Sequence, residues 1–138
     1  MSSTPIETGI PPALTRAALG LLFLVAGLNK FFGPGPDGFM QWILKEFAAT
    51  PLPAWSLVPY GYTLPFIEVA LGLFLLAGLF RRAALIATAL LLLSLAFGKM
   101  LLADHQTVAQ IFLYLFLAAW TLKNEDDDRL SLDHFFAA

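Results

Sequence analysis

Four apolar segments constrain this chain more than any other feature of its sequence. They cover residues 13–32, 62–80, 82–102 and 105–122. A helix needs about 20 residues to cross a hydrocarbon core about 30 Å thick, and each segment approaches that length. The connections after the second and third segments are so short that neighbouring helices must run antiparallel. The pattern predicts an all-α fold, a transmembrane four-helix bundle.

The composition indicates that lipid is the solvent for much of the surface. Hydrophobic residues make up 59% of the chain and charged residues 13%, whereas soluble domains are about 45–50% apolar and about 25% charged. The net charge of −2 and the lack of a Lys/Arg-rich run exclude nucleic acid as a partner. The chain has no cysteine, so its own residues cannot form thiolate metal sites or exchange disulfides.

The charges on either side of the apolar segments predict an orientation. Arg16 precedes the core of the first segment as in a signal peptide, but no small-residue cleavage site follows, and we expect a retained helix. Lys and Arg favour the cytoplasmic side. An arrangement with both termini inside (N-in/C-in) places five basic residues inside and three outside, and the adjacent arginines in a short loop are the strongest signal. The inside group is Arg16, Arg81, Arg82, Lys123 and Arg129, and the outside group is Lys30, Lys45 and Lys99.

The regions outside the apolar segments divide the chain into three parts. Residues 1–12 are expected to be an N-terminal cytoplasmic segment, residues 13–123 the transmembrane domain, and residues 124–138 an acidic C-terminal tail. We expect the acidic run 123–129 to be solvated and residues 130–138 either to touch the membrane or a partner or to fray. The outer loop between the first two helices is long, and its first half has helical spacing of apolar residues with Asp37 as a predicted N-cap. This half is expected to form an amphipathic helix at the membrane interface.

The second half of that loop contains three prolines and predicts an irregular structure. Proline removes a backbone donor and clashes within a helix interior, so we expect no regular helix over residues 48–61. Trp55 and Tyr62 suit the headgroup level, where amphipathic rings are enriched.

Glu68 is the most informative polar residue, because it interrupts an apolar helix. A carboxylate at the bilayer centre costs about 2.5–3.5 kcal/mol, so it should be paired, protonated or in contact with a water-filled cavity. The antiparallel topology brings other polar residues to the same end: Asn29, Lys30, Lys99, His105 and Gln110. Two interpretations stay open, a structural ion pair between Glu68 and a lysine, or a polar pocket that binds a small molecule. A metal site is not expected, since His105 and His134 lie at opposite ends.

Three stretches together resemble a known family. They are Arg16-x3-Gly20-x2-Phe23-x3-Gly27-x2-Lys30, then Pro65-x2-Glu68-x3-Gly72-x5-Gly78-x2-Arg81, and Phe97-Gly98-Lys99 with Asp104-His105. Their order and spacing over residues 13–123 resemble the DoxX/DoxD-like family of small four-helix membrane proteins. The resemblance implies a multi-pass protein of the bacterial inner (cytoplasmic) membrane, with some members linked to thiosulfate:quinone oxidoreduction and others to accessory roles. It also implies a polar site on the outer side formed by Lys30, Glu68, Lys99 and His105.

The leading hypothesis from these observations is a redox-associated membrane subunit that binds a quinone or a similar amphipathic molecule near the periplasmic face. Glu68 and His105 would exchange protons, Lys30 and Lys99 would tune their charge, and the rest of the site would comprise Asn29, Gln110, Trp55 and Tyr62. The alternative is a non-enzymatic accessory or assembly subunit that contacts lipids and either a protein partner or a second copy of itself. A small transporter is less favoured, because no broken helix is visible. Whether the chain is an enzyme stays open.

Overall fold

The computed structural model describes residues 5–128 and 130–137, which are almost entirely helical and contain no strand. Five helices of at least three turns follow one another along the chain, and the C-terminal segment adds a short 3-10 turn at Glu125–Asp127 and a short final helix. The helices are α1 (Pro5–Phe32), α2 (Gly35–Glu46), α3 (Ala54–Ala77), α4 (Arg81–Leu101), α5 (His105–Lys123) and α6 (Leu132–Ala137). The predicted all-α class is confirmed.

Three of these helices are long and apolar enough to cross a membrane: Gly9–Phe32 within α1, then Ala54–Ala77 and Arg81–Leu101. The protein is therefore a multi-pass membrane protein. The start of α5 is more polar, since His105 and Gln110 lie in its first two turns. A fourth crossing by α5, and with it the four-helix transmembrane bundle, stays a prediction.

The long helices pack as two close pairs, α1 on α3 and α4 on α5. Glycines allow the first pair to approach closely. A Cβ on Gly20 would lie 2.8 Å from the backbone nitrogen of Leu76, and one on Gly72 would lie 2.6 Å from that of Leu24. Close backbone approach of this kind is a main source of helix association in lipid. Fully buried residues from several helices, including Leu85 on α4, complete the core.

The alternating directions of the helices give the bundle two ends. The Lys30 end contains the last turn of α1, all of α2, the start of α3, the end of α4 and the start of α5. The Arg16 end contains the opposite ends of α1, α3, α4 and α5, together with the segment after Lys123. α2 packs mainly on α3 and lies across the Lys30 end.

Two helices begin earlier than the sequence analysis predicted. α1 begins at Pro5 rather than near residue 13, so most of the predicted N-terminal segment is helical. Pro12 is fully buried, and packing offsets the backbone hydrogen bonds that proline cannot make. α3 begins at Ala54 rather than near residue 62, with Pro53 as its N-cap and Pro59 inside it. Its first turns are held against α2 by tight contact between Gly61 and the side chain of Met40.

The acidic run 123–129, which was expected to be solvated, is only partly so in the residues that the structure describes, where Asp126 and Asp127 are exposed. Glu125, Asp128 and Ser131 are buried against the Arg16 end of the bundle. The physical reason is charge pairing, because the acidic residues are drawn to arginines that would otherwise be buried without partners.

Candidate functional site

Glu68 forms a buried ion pair with Lys30. The Nζ atom of Lys30 donates a hydrogen bond to Oε2 of Glu68 over 2.8 Å. The Glu68 side chain is only 4% exposed, whereas the Lys30 side chain is 22% exposed. The last turn of α1 and the second half of α3 position the pair. The ion pair therefore joins the same two helices that approach closely at Gly20 and Gly72. A molecule approaching from outside would therefore reach the ammonium group before the carboxylate.

Two aromatic rings of α2 lie between the lysines at this end. The rings of Phe39 and Trp42 stack with their centroids 6.0 Å apart. The Nζ atom of Lys30 lies 5.2 Å from the Phe39 centroid, and that of Lys99 lies 5.7 Å from the Trp42 centroid. Cation–π contacts of this kind attract the ammonium group to the ring face. The two lysines thus help hold α2 against the ends of α1 and α4.

Asp104 caps the start of α5 and contacts Lys99 only loosely. Its carboxylate accepts hydrogen bonds from the backbone nitrogen of Thr107 at 3.2 Å and from the Thr107 hydroxyl at 2.7 Å. The nearest Lys99 contact is 4.0 Å long. The hydrogen bonds from Thr107 lower the pKa of Asp104 below the usual value of 3.8, with the charges of Lys99 and His105 contributing less. Asp104 is therefore the N-cap of α5.

The other residues proposed for the site are arranged around this end without joining Glu68. The side chains of His105, Asn29 and Gln110 are exposed, and Trp55 is 79% exposed. Tyr62 donates a hydrogen bond over 2.8 Å to the carboxylate of Asp37. α2 begins at Gly35 after Pro34, so Asp37 lies in the first turn and is not its N-cap. The roles proposed for all these residues stay predictions.

An apolar cavity of about 220 Å³ also lies at the Lys30 end, between α2, α3 and α4. Its lining residues are Ile43, Phe47, Leu52, Ser56, Leu57, Tyr60, Ser94, Phe97 and Gly98. Neither Glu68 nor His105 lines it. The two residues proposed to exchange protons therefore lie outside this cavity.

The Arg16 end carries an ion network that the sequence analysis missed. Arg16 is 3% exposed. Its Nε atom donates to Asp128 over 2.5 Å, its Nη1 atom donates to the carbonyls of Leu75 and Leu76, and its Nη2 atom donates to the carbonyl of Leu130 over 2.9 Å. The Arg16 side chain is therefore enclosed within the bundle and does not extend to the headgroups. Its guanidinium instead ties α1 and α3 to the segment after α5.

A second arginine joins the same network from α4. Arg81 donates to Glu125 over 3.0 Å, to the hydroxyl of Ser131 over 2.5 Å and to the carbonyl of Asp128. Arg82 approaches Glu125 more distantly, at 3.6 Å. A signal for this network was present in the sequence, because an arginine within an apolar helix needs a counterion and an acidic run follows α5.

Comparison with known proteins adds a family but no close relative. No curated protein and no solved structure gives a significant match. Residues 8–110 match the model of a family described as methylamine utilisation protein MauE. The resemblance to DoxX/DoxD-like proteins is therefore wrong. The glycines and boundary lysines that carried it are common in membrane helices generally, so their spacing did not distinguish the two families. Because the match spans most of the sequence and three of the membrane-type helices, the chain belongs to the MauE family.

Proposed function

We propose that this protein is a non-enzymatic membrane accessory subunit in methylamine utilisation, acting within a larger membrane assembly. One observation carries the proposal. Each charged residue that is buried in the described part of the chain has its counterion within the chain: Glu68 pairs with Lys30, Asp128 with Arg16, and Glu125 with Arg81. Pairs of this kind hold helices in register, and they leave the buried carboxylates engaged with the protein's own cations.

The family and the composition support the same proposal. The family description names methylamine utilisation. Because the sequence contains no cysteine, it has no thiol with which to carry electrons or exchange disulfides. We propose that the redox chemistry of the assembly belongs to a partner protein.

We further propose that four helices cross the cytoplasmic membrane, with the Arg16 end inside. The basic residues support this orientation, since Arg16, Arg81 and Arg82 lie at that end and Lys123 ends α5 there. Lys30 and Lys99 lie at the opposite end, which would face the periplasm.

Complementation in a host that uses methylamine tests the accessory role. Deletion of the gene should prevent growth on methylamine, and the wild-type chain should restore it. The double variant Lys30→Met/Glu68→Met should also restore growth, because an apolar pair of similar volume can replace a structural ion pair without loss of stability. The proposal is contradicted if the double variant reaches wild-type levels in the membrane but does not support growth, since the charges would then act chemically.

A second candidate function is a quinone-type or other small-molecule site at the Lys30 end, as part of an oxidoreductase. The observation that favours it is the partial exposure of Lys30 beside a buried carboxylate. In this proposal Glu68 and His105 exchange protons with the ligand. Titration of the purified protein with a short-chain quinone tests this proposal. Equal quinone affinity in the wild type and in Glu68→Gln would contradict the proposed site.

A further inference from the structure

The apolar cavity at the Lys30 end adjoins a second, smaller cavity that shares part of its lining, and we call each of the two a lobe. The two lobes measure about 220 and 90 Å³. Their shared wall consists of Ile43, Phe47, Tyr60, Ser94 and Gly98. We call the two lobes together the α2 cleft, because α2 covers them and α3 and α4 form their floor.

The chemistry of the wall favours an apolar occupant over water. The hydroxyls of Tyr60 and Ser94 lie 2.9 Å apart and bond to each other, and Ser94 also donates to the carbonyl of Leu91 over 2.7 Å. Ser56 donates to the carbonyl of Pro53 over 2.7 Å. With these donors satisfied locally, a water in the larger lobe would find few partners. For comparison, an engineered apolar cavity of about 150 Å³ stays dry and binds benzene.

The cleft is accessible from the side of the bundle. Phe97 lines the larger lobe and is 55% exposed, and Ser94 on the same helix is also exposed. Both residues lie on α4, a helix with the length and apolarity to cross the membrane. A slender apolar chain in the surrounding lipid could therefore enter between α2 and α4 without first crossing water.

Lys99 gives the cleft its charge. Among the residues that line the two lobes it alone is charged, and it lies in the last turn of α4, near the membrane boundary. Its side chain is 28% exposed, and its contact with Asp104 is long at 4.0 Å. Because Asp104 is already engaged with Thr107, the ammonium group keeps unsatisfied hydrogen-bonding capacity toward an anion.

From this geometry we propose that the α2 cleft binds one acyl chain of an anionic phospholipid, with Lys99 beside the headgroup phosphate. The site goes beyond the accessory function, since it would bind lipid whether or not the protein joins an assembly. It shares Lys99 with the quinone candidate but differs from it in centre and ligand, since that candidate is centred on Glu68 and takes a neutral ring.

Tryptophan quenching in detergent micelles tests the proposal on the full chain. The variant Trp55→Phe/Trp120→Phe leaves Trp42, which lines the smaller lobe, as the only tryptophan. The probe is phosphatidylglycerol with brominated acyl chains, and brominated phosphatidylcholine is the zwitterionic comparison. We expect the quenching to saturate, and we expect the lipid concentration at half-saturation to be lower for phosphatidylglycerol than for phosphatidylcholine. Lys99→Gln should raise that half-saturation about five-fold, from about 1 kcal/mol per basic residue at an anionic headgroup.

Two matched pairs of variants separate the cleft from general effects. Lys45→Gln removes the same charge from the exposed face of α2 and should leave half-saturation unchanged. Ser94→Leu should fill the larger lobe and abolish saturable quenching, whereas Ala87→Leu, two turns earlier on the exposed face of α4, should not. The proposal is overturned by quenching that never saturates, by equal half-saturation for the two lipids, or by saturable quenching that persists in Ser94→Leu.

Discussion

Arg16 has a buried guanidinium group whose three nitrogens all donate hydrogen bonds. The partners are the Asp128 carboxylate and the backbone carbonyls of Leu75, Leu76 and Leu130. The sequence indicated that Arg16 lies near one end of α1 but not that it is enclosed, because its carboxylate partner is 112 positions away. Residue type and helical spacing predict local environment, whereas a contact across that distance depends on how the later segments fold back.

Asp128→Asn should destabilise the protein strongly. The change leaves a buried guanidinium without its counterion, which costs about 3–5 kcal/mol. Asp126→Asn is the matched control, since Asp126 belongs to the same acidic run but is exposed. Unfolding in mixed micelles by increasing SDS would measure both. Equal losses for the two variants would contradict the structural role of Asp128.

The cap of α5 should make a pH-dependent contribution to stability. Because hydrogen bonds from Thr107 lower the pKa of Asp104 in the folded protein, the contribution is complete above its usual pKa of 3.8. It is lost as the pH falls through the lower folded value. The stability difference between the wild type and Asp104→Ala should be constant near neutral pH and shrink under acid conditions. A difference that does not change with pH would show that the ionised carboxylate is not the capping group.

The contact between α1 and α3 was only partly predictable from the sequence. Gly20, Gly27 and Gly72 are candidates for packing seams on sequence alone, because small residues let helices approach in lipid. The structure places them in one seam, where a Cβ on Gly27 would lie 3.0 Å from the carbonyl oxygen of Pro65. The pairing of the two helices was not predictable, since every long helix carries small residues.

Gly72→Ala should weaken this seam. The added Cβ would lie 2.7 Å from the Cα atom of Leu24. This atom belongs to the backbone of α1, which cannot move aside in the way that the end of a flexible side chain can. Overpacking of this kind costs about 1–3 kcal/mol. Ala70→Val, on the exposed face of the same helix, controls for added volume. Thermal unfolding in detergent should show a lower midpoint for Gly72→Ala alone, and equal midpoints would contradict a tight α1–α3 seam.

The start of α3 and the segment after α5 were the elements predicted least well. Rules for isolated helices argue against Pro59, but they leave out the packing of Leu57 and Leu64 on α2 that stabilises the first turns of α3. Similarly, an acidic run is usually solvated, and its pairing with the buried Arg16 and the half-buried Arg81 makes this one a structural element. In both cases tertiary contacts outweighed a correct local tendency.

For the whole molecule, the alternation of helix directions predicts that the Lys30 and Arg16 ends lie on opposite sides of the membrane. The absence of cysteine makes this directly testable, because a single introduced thiol has no background. In cells with a permeabilised outer membrane, Lys45→Cys should react with a membrane-impermeant maleimide. Asp126→Cys should react only after the inner membrane is disrupted. Labelling of both variants before disruption would contradict four crossings with both termini inside.

The Lys30 end as a whole was predicted in outline. The antiparallel order of the helices was enough to place Lys30 and Lys99 at the same end as Glu68, but not to decide which lysine pairs with it. It could not indicate that α2 would lie across these residues or leave a cleft beneath it, because the position of a short amphipathic helix depends on side-chain contacts such as Phe39 with Trp42. The family could not be identified from the sequence pattern either, because spaced glycines occur in many small membrane bundles and do not distinguish one family from another.

Asp133 accepts hydrogen bonds over 2.7 Å from the backbone nitrogens of both Phe80 and Arg81, at the point where α4 begins. Residue 133 leaves the ribosome after all the long helices have been made. During synthesis, the start of α4 therefore forms before its hydrogen-bond acceptor, Asp133, has been made. Arg16 likewise has no carboxylate partner until Asp128 has been added. A nascent chain stopped just after Lys123 would hold every long helix and still lack the acceptors that Asp128 and Asp133 supply at the Arg16 end, so this end closes only after the long helices have been made.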